Sequence, residues 1–241
     1  MANFNQQDFN QFAVEHVVGF FPEQRTLASG RKSHWYANWR NVMNDVYLAN
    51  QLSDFLVLFC QDQSLEPDCF FGVPEGATKL AFLTQNKLAW LSSNYGPGSH
   101  CLPMGRAQPK NHGDPKDRYF VGEPRGNIIV VEDVTTTGSS LITKGIRPIF
   151  ELISNTQNPP RIIRAIGLTD RLETTQAGEN ICVGGISVRK ALDMLDVEYN
   201  SLSNAEDLLP LAVKRYNPSK EIRQAIEQEY QDHGVVQINL A

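Results

Sequence analysis

The chain has 241 residues, of which 41% are hydrophobic, and a formal net charge of −5. This length predicts one α/β domain with short additions, and the acidic balance argues against a broad nucleic-acid-binding surface. No apolar run reaches the roughly 20 residues that cross a bilayer, and the polar N-terminus does not resemble a signal peptide. Four cysteines without C-x-x-C spacing indicate reduced thiols in a cytoplasmic protein rather than a zinc site or a disulfide framework.

The first half of the chain predicts helices around one short strand. Apolar residues at helical spacing indicate helices over 5–21 and 40–61, separated by a turn-rich polar segment at 25–38. Residues 68–83, DCFFGVPEGATKLAFL, predict a short apolar strand, a Gly/Pro turn and a helix. Residues 105–118 carry Gly, Pro and charge without periodicity, which predicts a loop.

The second half alternates apolar runs with helical patterns. Runs at 127–133 and 161–169 predict buried parallel strands, and the amphipathic helix between them extends to about Leu152. A further apolar stretch and two C-terminal helices follow at 181–188, 204–214 and 218–231. Gly234 is the expected end of the last helix. This alternation predicts an α/β fold with a mostly parallel central sheet flanked by helices.

Residues 128–140, IIVVEDVTTTGSS, form the segment most indicative of function. A buried strand ends in Glu132 and Asp133, and a hydroxyl-rich turn then opens a helix. Open parallel sheets bind ligands at the carboxyl ends of their strands, where a helix N-terminus favours a phosphate group. The two carboxylates could hold vicinal sugar hydroxyls or a hydrated Mg²⁺, and an ordinary acidic helix cap is the structural alternative. No lysine follows Gly138, so this is not the GxxxxGK[ST] nucleotide loop.

This segment resembles the thirteen-residue motif by which type I phosphoribosyltransferases bind phosphoribosyl pyrophosphate (PRPP). The resemblance implies that Glu132 and Asp133 hydrogen-bond the ribose hydroxyls and that the following turn cradles the 5-phosphate. The expected PRPP-binding residues are Glu132, Asp133, Val134, Thr135, Thr136, Thr137, Gly138, Ser139 and Ser140. The implied cofactor is Mg²⁺, held through the substrate, with Asp133 as the candidate protein contact.

Three further segments resemble orotate phosphoribosyltransferases. Residues 27–38, LASGRKSHWYAN, are similar to the segment that lines the orotate pocket, and they place Tyr36 against the base. Residues 106–113, RAQPKNHG, are similar to the mobile catalytic loop of that family. Residues 169–173, TDRLE, are similar to the segment whose arginine, here Arg171, pairs with the orotate carboxylate.

The resemblance assigns roles to these residues. Catalysis is expected from Arg106, Lys110, His112 and Asp133, because a departing pyrophosphate needs cationic and hydrogen-bonding partners. Contacts to orotate are expected from Tyr36, Arg171 and Thr137. The turn at 72–77 stands in the place of the pyrophosphate-binding turn. Ala28 and Ala107 stand where the family often has lysine, which removes positive charge near the pyrophosphate.

The sequence therefore predicts an enzyme that transfers the phosphoribosyl group of PRPP to orotate, giving orotidine 5-monophosphate and pyrophosphate in pyrimidine biosynthesis. Transfer to uracil or a purine is one alternative, although a carboxylate-pairing pocket disfavours uracil. A PRPP-binding regulator without catalysis is another, although no basic recognition helix for nucleic acid is present. A catalytically weakened paralogue is the third, because of the two alanines.

The expected organisation is a single phosphoribosyltransferase domain over 1–241. A small N-terminal hood segment at 1–40 would cover the base pocket, 67–200 would form the core sheet, and 201–241 would form C-terminal helices. We expect a homodimer, as in members of the family, with no nucleic-acid or membrane partner.

Overall fold

The computed structural model describes residues 3–110, 112, 118–154, 156–177 and 184–240. The strands are β1 (Val18–Thr26), β2 (Lys32–Ala37), β3 (Cys69–Gly72), β4 (Met104–Gly105), β5 (Phe120–Val121), β6 (Asn127–Thr135), β7 (Arg161–Asp170) and β8 (Tyr199–Asn204). The helices are α1 (Gln6–His16), α2 (Trp39–Val42), α3 (Val46–Asp62), α4 (Thr78–Leu91), α5 (Arg147–Ile153), α6 (Val188–Asp193), α7 (Ala205–Tyr216) and α8 (Lys220–His233), with a π-helical turn at Leu141–Ile146 leading into α5.

The central sheet is parallel throughout, in the order β3-β6-β7-β8. Alternate residues of its strands build a core on each face. On β6, Ile129 and Val131 pack with the core formed by α1 to α4, α7 and α8, whereas Ile128 and Val130 pack with the π-helical turn, α5 and α6. The predicted α/β fold, a parallel sheet flanked by helices, is confirmed. No helix in the described residues is long and apolar enough to span a membrane.

The N-terminal region departs from the prediction of one helix over 5–21. Helix α1 ends at His16, and the next residues form β1, which pairs antiparallel with β2 in the register Val18↔Ala37 and Phe20↔Trp35. The sequence from Val17 to Phe21 is rich in β-branched and aromatic residues, which favour a strand once a partner strand is present. The hairpin therefore replaces the end of the predicted helix and part of the predicted turn-rich segment.

Two other predicted elements also differ. The helix predicted over 40–61 is two helices, α2 and α3, because the Asp45 side chain accepts a hydrogen bond from the backbone N–H of Leu48 (2.9 Å) and starts α3. Strand β8, YNSLSN, was not predicted because it is polar and lies at the edge of the sheet. In the apolar stretch at 181–188, residues 181–183 lie outside the described residues, and Ser187 caps α6.

Candidate active site

A phosphate-sized cradle lies at the carboxyl end of β6. Its walls are formed by Ala28, Ser29, Glu132, Val134, Thr136, Thr137, Gly138, Ser139 and Ser140. Gly138 has φ +75 and lies against Val188, so its lack of a Cβ allows the turn to form. The turn opens into the π-helical segment, whose N-cap residue, Ser140, makes no side-chain capping hydrogen bond in the described contacts. Thr135 differs from its neighbours, since it is buried and its hydroxyl lies against Tyr199.

Glu132 lines this cradle, and Asp133 is the next residue of β6. Burial raises the pKa of Glu132 well above its ordinary value, and the charge of Asp133 raises it further, while Lys144 acts in the opposite direction. Burial also raises the pKa of Asp133, and the charge of Arg40 lowers it. Both carboxylates therefore gain from a bound group that brings hydroxyl donors or a cation.

A larger cleft of about 400 Å³ continues from the cradle. It is lined by Leu27, Ala28, Tyr36, Arg40, Pro74, Glu75, Gly76, Ala107, Gln108, Glu132, Asp133, Val134, Thr136, Ser140, Lys144 and Arg171. The cleft is thus bounded by four segments: the hairpin turn, the turn after β3, the loop after β4 and the end of β6. Gly76 lies directly against the Asp133 carboxylate, and a Cβ at this glycine would collide with it.

Arg171 forms the floor of the cleft, and its side chain is 1% exposed. Its guanidinium donates to Glu173 Oε1 (2.6 Å), to the backbone oxygen of Trp35 (3.2 Å) and to Ser33 Oγ (3.0 Å), and it stacks 4.0 Å above the Trp35 ring. Arg31 donates to the other oxygen of Glu173 (2.7 Å). Three of the five guanidinium N–H groups of Arg171 are thus used within the protein, which fixes the orientation of this side chain.

Helix α8 supports this floor from behind. The Glu229 carboxylate accepts hydrogen bonds from Ser33 Oγ (2.6 Å) and from the backbone N–H of His34 (2.8 Å). The Tyr230 hydroxyl donates to the backbone oxygen of Arg171 (2.8 Å). The C-terminal helix therefore connects the hairpin to the segment after β7.

The predicted catalytic loop projects from β4 and β5. Its stem continues their pairing, because the N–H of Arg106 donates to Tyr119 O and that of Lys110 donates to Arg118 O, both at 2.8 Å. Residues 111 and 113–117 lie outside the described residues. Among the described loop residues, Ala107 and Gln108 line the cleft, whereas Arg106, Lys110 and His112 do not.

Sequence reasoning missed three residues around the cleft. Arg40 and Lys144 line it and supply positive charge near the two carboxylates, and Glu229 supports its floor. Lys144 lies four residues after Ser140, a spacing that places it on the same helix face as the turn. Nothing in the local pattern marks Glu229, since its partners are almost two hundred residues away in the chain.

A parallel sheet with paired carboxylates and a hydroxyl-rich phosphate cradle at the end of one strand is the arrangement of the type I phosphoribosyltransferase class, and the chain is a member of that class. Over 182 residues, which are 71% of this chain and 87% of the relative, the sequence is 31% identical to an orotate phosphoribosyltransferase of Rhodopseudomonas palustris. The chain belongs to the orotate phosphoribosyltransferase family.

Other comparisons agree with this placement. An orotate phosphoribosyltransferase of Bradyrhizobium diazoefficiens is 34% identical over 136 residues, covering 52% of this chain and 65% of that relative. The crystal structure of orotate phosphoribosyltransferase from Francisella tularensis superposes with a TM-score of 0.63 at 20% identity, covering 94% of this chain and 99% of that one. No family model matches the sequence.

Proposed function

We propose that the chain transfers the phosphoribosyl group of PRPP to orotate, releasing pyrophosphate and forming orotidine 5-monophosphate. The observation that carries this proposal is the position of Arg171, a buried and oriented guanidinium on the floor of a cleft that opens from a phosphate cradle. A planar fork of this kind suits the carboxylate of orotate, which uracil and the purine bases lack.

In this proposal, PRPP lies across the cradle and the cleft. The 5-phosphate occupies the turn from Val134 to Ser140, where hydroxyls and helix N–H groups face it. Thr135 contributes through its backbone, since its side chain is buried against Tyr199. Glu132 and Asp133 accept hydrogen bonds from the ribose hydroxyls, which matches their position between the two parts of the site.

Orotate then occupies the part of the cleft between the hairpin and the segment after β7. Tyr36 packs on the base, and Arg171 uses its remaining N–H groups on the carboxylate. Thr137, which was also expected to contact orotate, lines the phosphate cradle and is not among the described residues that line the cleft. An orotate analogue without the carboxylate would leave this buried cation without its ligand. Rejection of uracil follows from that penalty.

The site suits a magnesium ion that is held mainly by substrate. In the described part of the chain no group of three or more His, Cys, Asp or Glu side chains could hold a metal ion. Glu132 and Asp133 are nevertheless two adjacent oxygen donors whose pKa values are raised by burial, so a nearby cation would stabilise them in the ionised form. When bound, Mg²⁺ would neutralise charge on the pyrophosphate, with Asp133 as its nearest protein contact.

The residues of the chain contribute positioning and charge stabilisation. Glu132 and Asp133 fix the ribose while its C1 gains positive charge, and Arg106, Lys110 and His112 stabilise the departing pyrophosphate. Closing the loop over the cleft excludes water from C1. Orotate attacks through N1 as an anion, so the reaction needs no strong protein base.

We further propose that the protein is a homodimer in the cytoplasm. Arg106, Lys110 and His112 are not among the described residues that line the cleft of their own chain, which supports a role for the loop in a neighbouring subunit's cleft. Three described cysteines carry free thiols, a state that a reducing compartment maintains.

The test is the decrease in orotate ultraviolet absorbance with PRPP and Mg²⁺, with uracil, hypoxanthine and adenine in parallel. We expect turnover with orotate alone, and loss of turnover when the metal is chelated. Lys110→Ala should raise the barrier by about 2–4 kcal/mol, as does removal of one preorganised charge-stabilising donor. Lys220→Ala, at the exposed start of α8, is the matched control and should leave the rate unchanged.

The alternatives give different results in the same assay. Turnover with another base but none with orotate would retain PRPP as the donor and exclude orotate as the acceptor. Tight PRPP binding without turnover of any base would indicate a regulator or an inactive paralogue.

A further inference from the structure

Arg40 is a cation on the wall of the cleft that the functional roles above leave unassigned. It lies in the short helix α2, and it is exposed. It lines the cleft together with Glu75, Gly76 and Asp133, and its charge acts on the Asp133 carboxylate.

Arg40 differs from the other two cations of the cleft in the acidic group on which its charge acts. The cleft is lined by three basic residues and three acidic residues, namely Arg40, Lys144, Arg171, Glu75, Glu132 and Asp133. Arg171 is engaged by Glu173, and the charge of Lys144 acts on Glu132. Ala28 and Ala107 also line the cleft but carry no charge. Arg40 is the cation of the cleft whose charge acts on Asp133.

The direction in which a bound PRPP must lie places this corner near the pyrophosphate. Glu132 lines both the cradle and the cleft, whereas Asp133 lines the cleft alone. With the 5-phosphate in the cradle and the ribose on the two carboxylates, the group on C1 extends past Asp133, towards Gly76 and Arg40. The backbone of Gly76 packs on Asp133, so this corner is bounded by the turn after β3.

We propose that Arg40 is a catalytic residue that binds the pyrophosphate of PRPP and stabilises it as it leaves. The inference rests on the proposed function and adds a ligand-binding residue to it. Pyrophosphate carries several negative charges, and Glu75 and Asp133 add two more to the wall that faces it. A guanidinium can stabilise that negative charge by donating two parallel hydrogen bonds to one phosphate group, which an ammonium cannot do.

The experiment compares two probes by calorimetry, pyrophosphate with Mg²⁺ and ribose 5-phosphate. Ribose 5-phosphate fills the cradle and reaches the two carboxylates, but it has no group that extends to Arg40. We expect Arg40→Ala to weaken pyrophosphate about tenfold to a hundredfold, the range for one charge-assisted hydrogen-bonding group, and to change ribose 5-phosphate less than about twofold. Arg40→Lys should fall between the wild type and Arg40→Ala.

Arg215→Ala is the matched control, since Arg215 is an exposed arginine paired with Glu15 on α1, away from the cleft. It should leave both affinities unchanged. Steady-state kinetics should show a higher KM for PRPP in Arg40→Ala, with the KM for orotate unchanged. The pyrophosphate effect should diminish as salt is raised, because Arg40 is exposed and its charge is screened.

Three results would overturn the assignment. If Arg40→Ala left pyrophosphate binding unchanged, or if neither the wild type nor the variant bound pyrophosphate measurably, Arg40 would have no role in binding it. If the variant bound both probes equally less tightly, Arg40 would only hold Asp133 in position. A rise in the KM for orotate alone would place Arg40 on the base. If the wild type bound pyrophosphate through Arg40 but turned over no base, the proposed transfer would fail while the assignment stood.

Discussion

Glu173 accepts hydrogen bonds from two buried guanidinium groups, those of Arg31 and Arg171. Its side chain is 7% exposed, and the two arginines are similarly buried, so solvent provides little compensation for their charge. One carboxylate therefore keeps two buried cations in place, and one of them, Arg171, lines the cleft.

Replacement of that carboxylate should be costly. We expect Glu173→Gln to lower the free energy of unfolding by about 3–5 kcal/mol, the usual cost of removing one partner from a buried ion pair. Urea denaturation measures this loss. Glu15→Gln, which alters the exposed pair with Arg215, should cost less than about 1 kcal/mol. Equal effects in the two variants would show that the Glu173 pairs contribute no more than a surface contact.

A second prediction at the scale of single residues concerns Gly76. A methyl group at this position collides with the Asp133 carboxylate, so Gly76→Ala must displace the group that we propose to bind the ribose. We expect a loss of at least about 2 kcal/mol in kcat/KM for PRPP, because a shifted carboxylate no longer fits the transition state. Gly96→Ala is the control, since its Cβ would meet only Asn94 O at 3.9 Å. Similar kinetics for both variants would contradict the close fit.

Asp170 gives the chain a pH-dependent stability. Burial raises the pKa of Asp170 from 3.8 to about 6, although the N–H of Leu172 and the Tyr199 hydroxyl act in the opposite direction. The unfolded chain loses this proton first as the pH rises, so the native state holds more protons and its stability falls between about pH 4 and pH 6.

Asp170→Asn removes that loss while keeping an oxygen for the Leu172 N–H. The difference in unfolding free energy between the variant and the wild type should increase in favour of the variant by about 2–3 kcal/mol from pH 4 to pH 8. Denaturation series at both pH values test this, with the exposed Asp193→Asn as control. A gain that is the same at both pH values would exclude titration of Asp170 as the cause.

At the scale of secondary-structure elements, the strands at the centre of the sheet were the most predictable. β6 and β7 are buried on both faces, so they appear in the sequence as continuous apolar runs, predicted at 127–133 and 161–169 and observed with ends within two residues. β1 and β8 were missed for physical reasons. β1 is stabilised by pairing with β2 in a hairpin, which the helical pattern before it concealed, and β8 has the polar sequence of an edge strand.

The candidate site also has a part that the sequence predicts and a part that it does not. The cradle at 134–140 is a continuous segment, so its position at a strand end and its hydroxyls could be predicted from the sequence. The support for Arg171 comes from Ser33, Trp35 and Glu173, together with Glu229 of α8, and sequence spacing contains no information about such contacts. Arg40 was missed because an isolated exposed arginine is common on protein surfaces.

Helix α8 should influence the base more than PRPP. Glu229 accepts hydrogen bonds from Ser33 and His34, and Ser33 in turn contacts Arg171. Glu229→Ala should therefore raise the KM for orotate by roughly tenfold, the effect of losing one charged hydrogen-bond acceptor, with little change in the KM for PRPP. Gln228→Ala, whose side chain bonds only to Asp232 in the described contacts, is the control. An equal rise in both KM values would indicate general destabilisation instead.

At the scale of the whole molecule, the proposed sharing of the site between two subunits predicts complementation. Lys110→Ala impairs the loop and Asp133→Asn impairs the cleft, and a mixed dimer contains one pair of intact partners. Equal mixing of the two inactive variants should restore roughly a quarter of wild-type activity, since half of the dimers are mixed and each has one working site. Activity no greater than the sum of the separate variants would show that each subunit uses its own loop.

The anchoring of α8 also has a consequence for the order in which the chain is made. The residues of the phosphate cradle are all present once residue 140 has been synthesised, whereas Glu229 and Tyr230 follow much later in the chain. Leu240 is held against α8 through Glu227 (2.6 Å) and Arg223 (3.4 Å). A nascent chain would therefore contain its proposed phosphate-binding turn well before the residues that support Arg171, on which the proposed discrimination between bases depends.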